Sequence, residues 1–310
     1  MNKRRIYCKF SNAEYLYRIR STKQFNIDAF NKDIISGSIS KTLNDRTELY
    51  FSLDKRKFKH FLRKLSVKIK QRFFNTSNSN KIYKYIKKKL IPANESDLRY
   101  CILISCFSKN DLRRRKDMWI KYTAQGQSEE GFLLVYKKSD LINAANNQLK
   151  IKYKKYGDVS YCSKKKNDKT NFYIDLFNII LNDKISTSFS NPLIQQYLCS
   201  NQTIYALAIN SLMIKKGYND TVVDDLIYSK EKCWSTENEW RLIGDNTKFN
   251  NQNPQMSALY GDVLKCSPFS IYIRRKVDIK TKNLLINIGK GKNIDVYVEK
   301  NDKCFEYYKV

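Results

Sequence analysis

The chain has few of the residues on which many catalytic sites depend. Its one histidine, His60, lies in a basic window from Lys55 to Lys64 that holds no carboxylate. A Ser-His-Asp or Cys-His mechanism needs an imidazole that a third group orients. We therefore exclude those mechanisms and expect His60 at the surface. A metal-dependent nuclease is also disfavoured, because the sequence has no evident cluster of metal ligands.

The cysteines, prolines and glycines narrow the possibilities further. The eight cysteines form no C-x-x-C pair, so neither a zinc framework nor a disulfide scaffold is indicated. We expect a reduced, cytoplasmic protein that binds no metal. The 4 prolines and 9 glycines argue against long flexible linkers. The longest apolar-rich segment, Thr203 to Ile214, is too short to span a bilayer, so no membrane partner is expected.

Negative charge is scarce relative to positive charge. Lys and Arg number 59 against 30 for Asp and Glu, which gives a net charge of +29. Such an excess attracts nucleic acid or another anionic macromolecule. Lysine, asparagine, isoleucine and tyrosine share A/T-rich codons, so a biased genome would give the same excess. Both explanations stay open.

Two basic segments are the strongest candidates for contact with an anionic partner. Apolar residues recur at helical spacing from Phe58 to Phe73 and again from Ile82 to Leu90, with lysines and arginines between them. A run of three arginines follows later. The predicted nucleic-acid-binding residues are Lys55, Arg56, Lys59, Arg63, Lys87, Lys88, Arg113, Arg114 and Arg115. The alternative is a pair of packed helices with solvated basic faces.

The order of strand and helix patterns predicts an α+β fold with a mixed central sheet. Continuous apolar runs at Tyr100–Phe107 and Gly131–Tyr136 are typical of buried strands. Further strands are predicted at 15–19, 48–52, 149–153, 258–264, 270–274, 294–299 and 305–308, with short helices at 117–122 and around 284–286. We predict a single domain over residues 1–310, with a basic helical insertion at about 54–90 and another helical insertion at about 171–232.

A pair of glutamates beside two tryptophans is the most informative local feature. On a strand, Glu237 and Glu239 would point to the same face, because successive side chains alternate. Two adjacent carboxylates perturb each other's pKa and can serve as acid, base or cation-stabilising groups. The alternative is a solvated strand face with ion pairs to lysines.

Several motifs in sequence order resemble a known family. They are Leu16-Tyr17-Arg18, Cys106-Phe107-Ser108, Met118-Trp119-Ile120-Lys121-Tyr122, Gly131-Phe132 and Trp234 through Leu242. From about residue 14 onward the chain resembles bacterial and phage proteins that share a domain of unknown function. It departs from their pattern after Ser52, where a proline-fixed turn of the family is missing. If that turn shapes a substrate pocket, this chain is altered or inactive there.

The same order of residues is also similar to the Arg-Ser-Glu arrangement of ADP-ribosyltransferases. The resemblance implies an ADP-ribosyltransferase-like core with helical insertions and NAD as co-substrate. It implies that Arg18 contacts a phosphate or a ribose of NAD. It also implies that Ser52 or Ser108 supports the nicotinamide pocket. Glu239 would be the catalytic carboxylate, and Glu237 would orient the acceptor. The aromatic faces of Trp119 and Tyr122 could stack on a base, with core packing as the alternative.

Two functions follow from these observations. The first is an NAD-dependent ADP-ribosyltransferase-like enzyme that modifies a macromolecule such as nucleic acid, as a toxin or phage-defence effector with an inhibitory partner. The second is a nonenzymatic basic nucleic-acid-binding protein on the same scaffold. The enzyme hypothesis predicts that Arg18, Glu237 and Glu239 converge on one pocket. The binding hypothesis predicts one continuous basic surface, with the glutamates held in ion pairs.

Overall fold

A computed structural model gives the architecture of the chain. It describes residues 14–39, 43, 54–67, 70–71, 76–85, 87, 102–123, 130–151, 154–162, 170, 174, 227–246, 260–301 and 306–310. The strands are β1 Tyr15–Ser21, β2 Ile34–Ile39, β3 Ile102–Ser108, β4 Gly131–Lys137, β5 Tyr156–Asp158, β6 Ser160–Cys162, β7 Ser229–Glu231, β8 Glu239–Asp245, β9 Tyr260–Lys265, β10 Ser270–Ile273, β11 Asp295–Asn301 and β12 Glu306–Lys309. The helices are α1 Gln24–Asn31, α2 Lys55–Lys64, α3 Ser79–Tyr85, α4 Lys116–Tyr122, α5 Lys138–Gln148 and α6 Ile279–Gly291, with a 3-10 helix at Lys232–Glu237.

One large mixed sheet joins segments from both ends of the described chain. Eight strands follow the order β12-β11-β10-β4-β1-β3-β2-β9, and β8 pairs with both β3 and β5. The β10–β11 pair is parallel, whereas its neighbours on either side are antiparallel. The predicted combination of helices with a mixed central sheet is therefore confirmed.

The sheet splits beside β3, and this split positions the site. β8 pairs with β3 along its whole length on one edge. On the other edge, β1 meets β3 only where Tyr17 lies opposite Ser108, and β2 meets it where Ser38 lies opposite Ile104. β1 and β2 therefore diverge from a common neighbour and leave space between them.

The two faces of the sheet carry separate hydrophobic clusters. The larger one includes Phe30 from α1, Leu141 from α5 and Leu285 from α6, packed with Phe107 and Trp240. The smaller one groups Tyr17, Trp119, Leu133 and Tyr272 with their neighbours. Burying large aliphatic and aromatic side chains on both faces is the main stabilising contribution expected of such a sheet.

Several predicted elements differ from the structure. The basic helix predicted to run to Phe73 is interrupted: α2 ends at Lys64 because Leu65 adopts an extended conformation, and helical residues recur at 67, 70 and 71. Residues 149–151 form no strand and instead follow α5, whose weak apolar stripe gave little helical signal in the sequence. The end of the second predicted insertion forms β7 rather than a helix. Most of residues 171–226 and the strand predicted at 48–52 lie outside the described residues.

No helix within the described ranges combines the length and apolar character needed to cross a bilayer. Within the same ranges, His, Cys, Asp and Glu side chains form no group of three or more that could hold a metal ion.

Candidate functional site

A cavity of about 370 Å³ opens where β1 and β2 diverge. Its walls come from β1, β2, β3, the C-terminal end of α4 and the junction between the 3-10 helix and β8. The predicted site residues in these walls are Arg18, Ser108, Tyr122, Glu237 and Glu239. The fold thus brings together groups that are more than 200 residues apart in the chain.

The sequence pattern predicts both glutamates on one strand, but the structure places them on two elements. Glu237 ends the 3-10 helix and Glu239 begins β8. Between them Asn238 adopts a left-handed conformation, with φ 45° and ψ 58°. Asparagine tolerates this region better than most residues. Both carboxylates face the same cavity because the chain turns at Asn238, and not because side chains alternate along a strand.

The loop after β3 fixes this junction. The Ser108 hydroxyl donates to the carbonyl of Glu237 at 2.9 Å. The Lys109 amide donates to the Asn238 carbonyl, and the Asn238 side-chain amide donates to Asn110 Oδ1, both at 2.9 Å. Ser108 therefore positions the backbone of Glu237 rather than pointing a free hydroxyl into the cavity.

Three donors from two elements, α4 and β7, bind the carboxylate of Glu237, which is 3% exposed. Its Oε1 accepts from the Lys121 ammonium and, at 2.9 Å, from the Tyr122 hydroxyl. Its Oε2 accepts from Lys230 Nζ at 2.7 Å. Burial and then the charge of Glu237 raise the pKa of Tyr122 well above its ordinary value. Tyr122 therefore stays protonated and donates a hydrogen bond to Glu237.

Glu239 is held by a buried arginine from its own strand. Arg241 Nε lies 2.8 Å from Glu239 Oε1 and Arg241 Nη2 lies 3.3 Å from Oε2. Lys230 Nζ also reaches Oε2, at 3.1 Å. Burial alone would raise the pKa of Glu239, but the charges of Arg241 and Lys230 outweigh it and lower the pKa to about 2. Glu239 is therefore an ionised carboxylate at neutral pH.

Lys230 is the cation that the two glutamates share. It arrives on β7, which pairs in parallel with β6 through Tyr161 and Lys230. The ring of Trp234 lies 3.9 Å from Lys121 Nζ and 4.9 Å from Lys230 Nζ. An aromatic face at these distances attracts both ammonium groups. Trp234 thus supports the cations that bind the carboxylates.

Two arginines from β1 line the same cavity. Arg18 is 8% exposed, and its Nη2 donates to the Ser36 carbonyl at 2.5 Å. Arg20 Nη2 lies 3.1 Å from Ser36 Oγ. Burial and then the charge of Arg20 lower the pKa of Arg18 well below its ordinary value. Burial lowers the pKa of Arg20 to about 10.

The remaining predicted cofactor residues fall elsewhere. Trp119 is fully buried, and its indole donates to the Leu112 carbonyl at 2.9 Å. Trp119 packs in the smaller hydrophobic cluster and does not line the cavity, as the core-packing alternative predicted. Ser52 lies outside the described residues.

The predicted nucleic-acid-binding residues form two groups of different character. Lys55, Arg56 and Arg63 are exposed on α2, while Lys59 Nζ lies 5.5 Å from the Tyr83 ring. Lys87 and Arg114 are also exposed, and Lys88 lies outside the described residues. By contrast, Arg113 pairs with Asp111 at 2.6 Å and Arg115 with Asp117 at 2.7 Å. Part of the arginine run is therefore committed to neighbouring carboxylates.

Sequence reasoning missed four cations of the site. Arg20 and Arg241 could have been predicted from the sequence. Each lies on a strand, two residues from a predicted site residue, and therefore shares its face. Lys121 stands inside a motif already singled out. Lys230 gave no local signal, because only the β6–β7 pairing brings it to the glutamates.

Comparison with known sequences finds one family over part of the chain. Residues 118–242 match the family described as Protein of unknown function (DUF2971). The matched range is less than half of the 310 residues. It holds both glutamates, Lys121, Lys230 and Arg241, but not the arginines of β1. The resemblance was expected from about residue 14 onward, and over residues 14–117 and 243–310 it stays a prediction. Searches of curated proteins and of solved structures found no match.

Proposed function

We propose that the protein is an ADP-ribosyltransferase-like enzyme that uses NAD and modifies a macromolecule, in a toxin or phage-defence role. One observation carries the proposal: Arg18 from β1 and the distant Glu237 and Glu239, at the junction of the 3-10 helix and β8, line the same cavity. An arginine suits the phosphates of NAD, and an ionised, buried carboxylate suits the positive charge that develops on its ribose. The resemblance to Arg-Ser-Glu transferases supports the same roles.

The chemistry follows from these positions. The bond between ribose C1′ and nicotinamide breaks, and its electron pair leaves with neutral nicotinamide. A nucleophile of the acceptor bonds to C1′ and gives up its proton. Glu239 stabilises the cationic sugar in the transition state, and Glu237 orients the acceptor and assists its proton loss. Lys230, which touches both carboxylates, fixes their spacing.

The test is nicotinamide release from NAD by the purified protein, with RNA, DNA or protein added in separate reactions. We expect release, stimulated by the polymer that is the acceptor, and mass added to that polymer. The control is Glu239→Gln, which keeps the shape of the side chain and removes its charge. Absence of release from folded wild-type protein with every acceptor would contradict the proposal.

A second function is favoured by the basic residues of α2 and by the ion pairs that hold Glu237 and Glu239, which this function predicts. Lys55, Arg56 and Arg63 are exposed on α2, in a chain of net charge +29. A nonenzymatic nucleic-acid-binding protein would use such a surface, and its affinity would fall steeply with salt.

A charge-matched pair of triple variants tests this second function. Replacing Lys55, Arg56 and Arg63 with glutamine should weaken RNA or DNA binding and lower the slope of log affinity against log salt by about 2 to 3. The control replaces Lys137, Lys280 and Lys290, which are exposed elsewhere, with glutamine. Equal losses in both triples would mean that net charge, not α2, drives binding.

A further inference from the structure

The wall of the cavity formed by β1 and β2 has more hydrogen-bond donors than acceptors. The Ser36 carbonyl lies 2.5 Å from Arg18 Nη2, 3.4 Å from Arg20 Nη2 and 2.8 Å from the Ser105 hydroxyl. A carbonyl oxygen has two lone pairs, so three donors exceed its capacity. Each guanidinium also has five N–H groups to satisfy. The protein therefore offers too few hydrogen-bond acceptors for the donors in this wall.

Charge is unbalanced in the same place. Across the part of the chain that the structure describes, neither Arg18 nor Arg20 forms an ion pair with a carboxylate. Arginine stays protonated at neutral pH, so two positive charges meet at the Ser36 carbonyl: buried Arg18, 5.1 Å from the Phe107 ring centroid, and half-buried Arg20. Buried charges are normally paired. An anion bound between the two guanidinium groups would supply both the missing charge and the missing acceptors.

Two exposed aromatic side chains stand at the same cavity. Phe25, at the start of α1, is 51% exposed, and Tyr260, at the start of β9, is 54% exposed. Both line the cavity that holds the arginines. Their ring centroids lie 6.0 Å apart with 30° between the planes. Exposed aromatic faces beside a cationic wall are suited to stack on a planar base.

We propose that Arg18 and Arg20 bind the phosphate groups of a nucleotide whose base stacks on Phe25 and Tyr260. The inference shares its cavity with the proposed function and names the part of the cavity that recognises the ligand. Arg18 is common to both, whereas Arg20, Phe25 and Tyr260 belong to this inference alone. Nucleotide binding here requires no bond cleavage, so it can stand if the enzymatic proposal fails.

The probe is ADP, titrated calorimetrically into the full chain, with inorganic pyrophosphate as the ligand that lacks a base. We expect Arg20→Gln to weaken both ligands at least tenfold, because a guanidinium–phosphate contact is lost. The matched control is Arg115→Gln, which removes one positive charge at a surface arginine paired with Asp117. It should leave both affinities unchanged. Equal losses in the two variants would overturn the site.

The aromatic part has its own test. Phe25→Ala should weaken ADP roughly tenfold and leave pyrophosphate unaffected, since only ADP carries a base. Equal affinity of the wild type for ADP and pyrophosphate would overturn the stacking role. A failure of the wild type to bind either ligand would overturn the whole inference.

Thermal melting separates a binding role from a structural one. If Arg20 serves a ligand, Arg20→Gln removes an uncompensated charge and should not lower the melting temperature of the unliganded protein. A lower melting temperature with unchanged ADP affinity would make Arg20 structural. Nicotinamide release that Arg20→Gln leaves intact would count against this inference alone, whereas ADP binding without any release would count against the proposed enzyme alone.

Discussion

The Arg274–Glu299 ion pair and the cluster around Glu237 and Glu239 are both buried, but they are built differently. Arg274 Nη1 lies 2.9 Å from Glu299 Oε1, and both side chains are fully buried. That pair is no part of the cavity wall, and Glu299 Oε2 also accepts from the Arg275 amide at 2.9 Å. The glutamate cluster faces the cavity and sets three cations, Lys121, Lys230 and Arg241, against two carboxylates.

On the proposed function, this difference separates a structural use of charge from a functional one. The Arg274–Glu299 pair is closed off from the cavity by its full burial, and removing either partner strands a buried charge. A cluster that lines a cavity can exchange contacts with a ligand at lower cost. The two regions should therefore respond in opposite ways to substitution: the first in stability, the second in binding and turnover.

The largest stability effect is expected at the closed pair. Glu299→Gln leaves the Arg274 guanidinium buried without its carboxylate and should lower the free energy of unfolding by about 3 to 5 kcal/mol. Urea denaturation measures it. The control is Asp117→Asn at the exposed pair with Arg115, which should cost about 0 to 1 kcal/mol. Similar losses at both positions would erase the distinction between buried and surface pairs.

The shared lysine should matter less. Lys230→Met removes the cation between Glu237 and Glu239, but Lys121 and Arg241 remain bound to the two carboxylates. We expect a loss of about 2 kcal/mol in urea denaturation, below that of a fully stranded charge. Lys109→Met, at a surface pair with Asp158, is the control. A loss at Lys230 as large as that of Glu299→Gln would make the cluster as structural as the closed pair.

Acid should weaken the cluster through Glu239. Its pKa in the folded protein is lowered from an ordinary 4.5 to about 2. Ionised Glu239 therefore stabilises the fold above about pH 4.5, and this contribution is lost as the pH falls from 4.5 towards 2. The stability difference between wild type and Glu239→Gln should shrink over that window. A difference that is constant with pH would contradict the assigned pKa.

The smallest effect is expected for a single hydrogen bond. Tyr122→Phe removes the donor 2.9 Å from Glu237 Oε1, while both lysines stay in place. We expect a loss of about 1 kcal/mol in the free energy of unfolding. Tyr260→Phe, at a half-exposed tyrosine, should change nothing measurable. A loss above that of Lys230→Met would show that Tyr122, and not the lysine, organises the cluster.

Sequence patterns predicted the sheet better than the site. Strands β3 and β4 were recognisable because both faces are buried and their residues are continuously apolar. The helix Lys138–Gln148 was missed, since Leu141 and Ala145 are its only buried residues. Periodicity reports burial, so elements with a narrow buried stripe leave a weak pattern.

The two glutamates of the site and Arg18, Ser108 and Tyr122 could be predicted, but the other cations were missed. The spacing of Glu237 and Glu239 correctly brought the two carboxylates together, but for the wrong reason, since Asn238 turns the chain. Strand spacing could also have added Arg241. Lys230 depends on the pairing of two short strands far apart in sequence, and no local pattern encodes such a contact.

The most direct test of the account is nicotinamide release by Glu239→Gln and Glu299→Gln, each normalised to its folded fraction. Both substitutions remove one negative charge from a buried carboxylate bonded to an arginine. We predict that Glu239→Gln lowers release at least about 100-fold, whereas Glu299→Gln leaves it within about twofold because only stability is affected. Equal activity of the two folded variants would contradict the claim that the cavity cluster is functional and the closed pair structural.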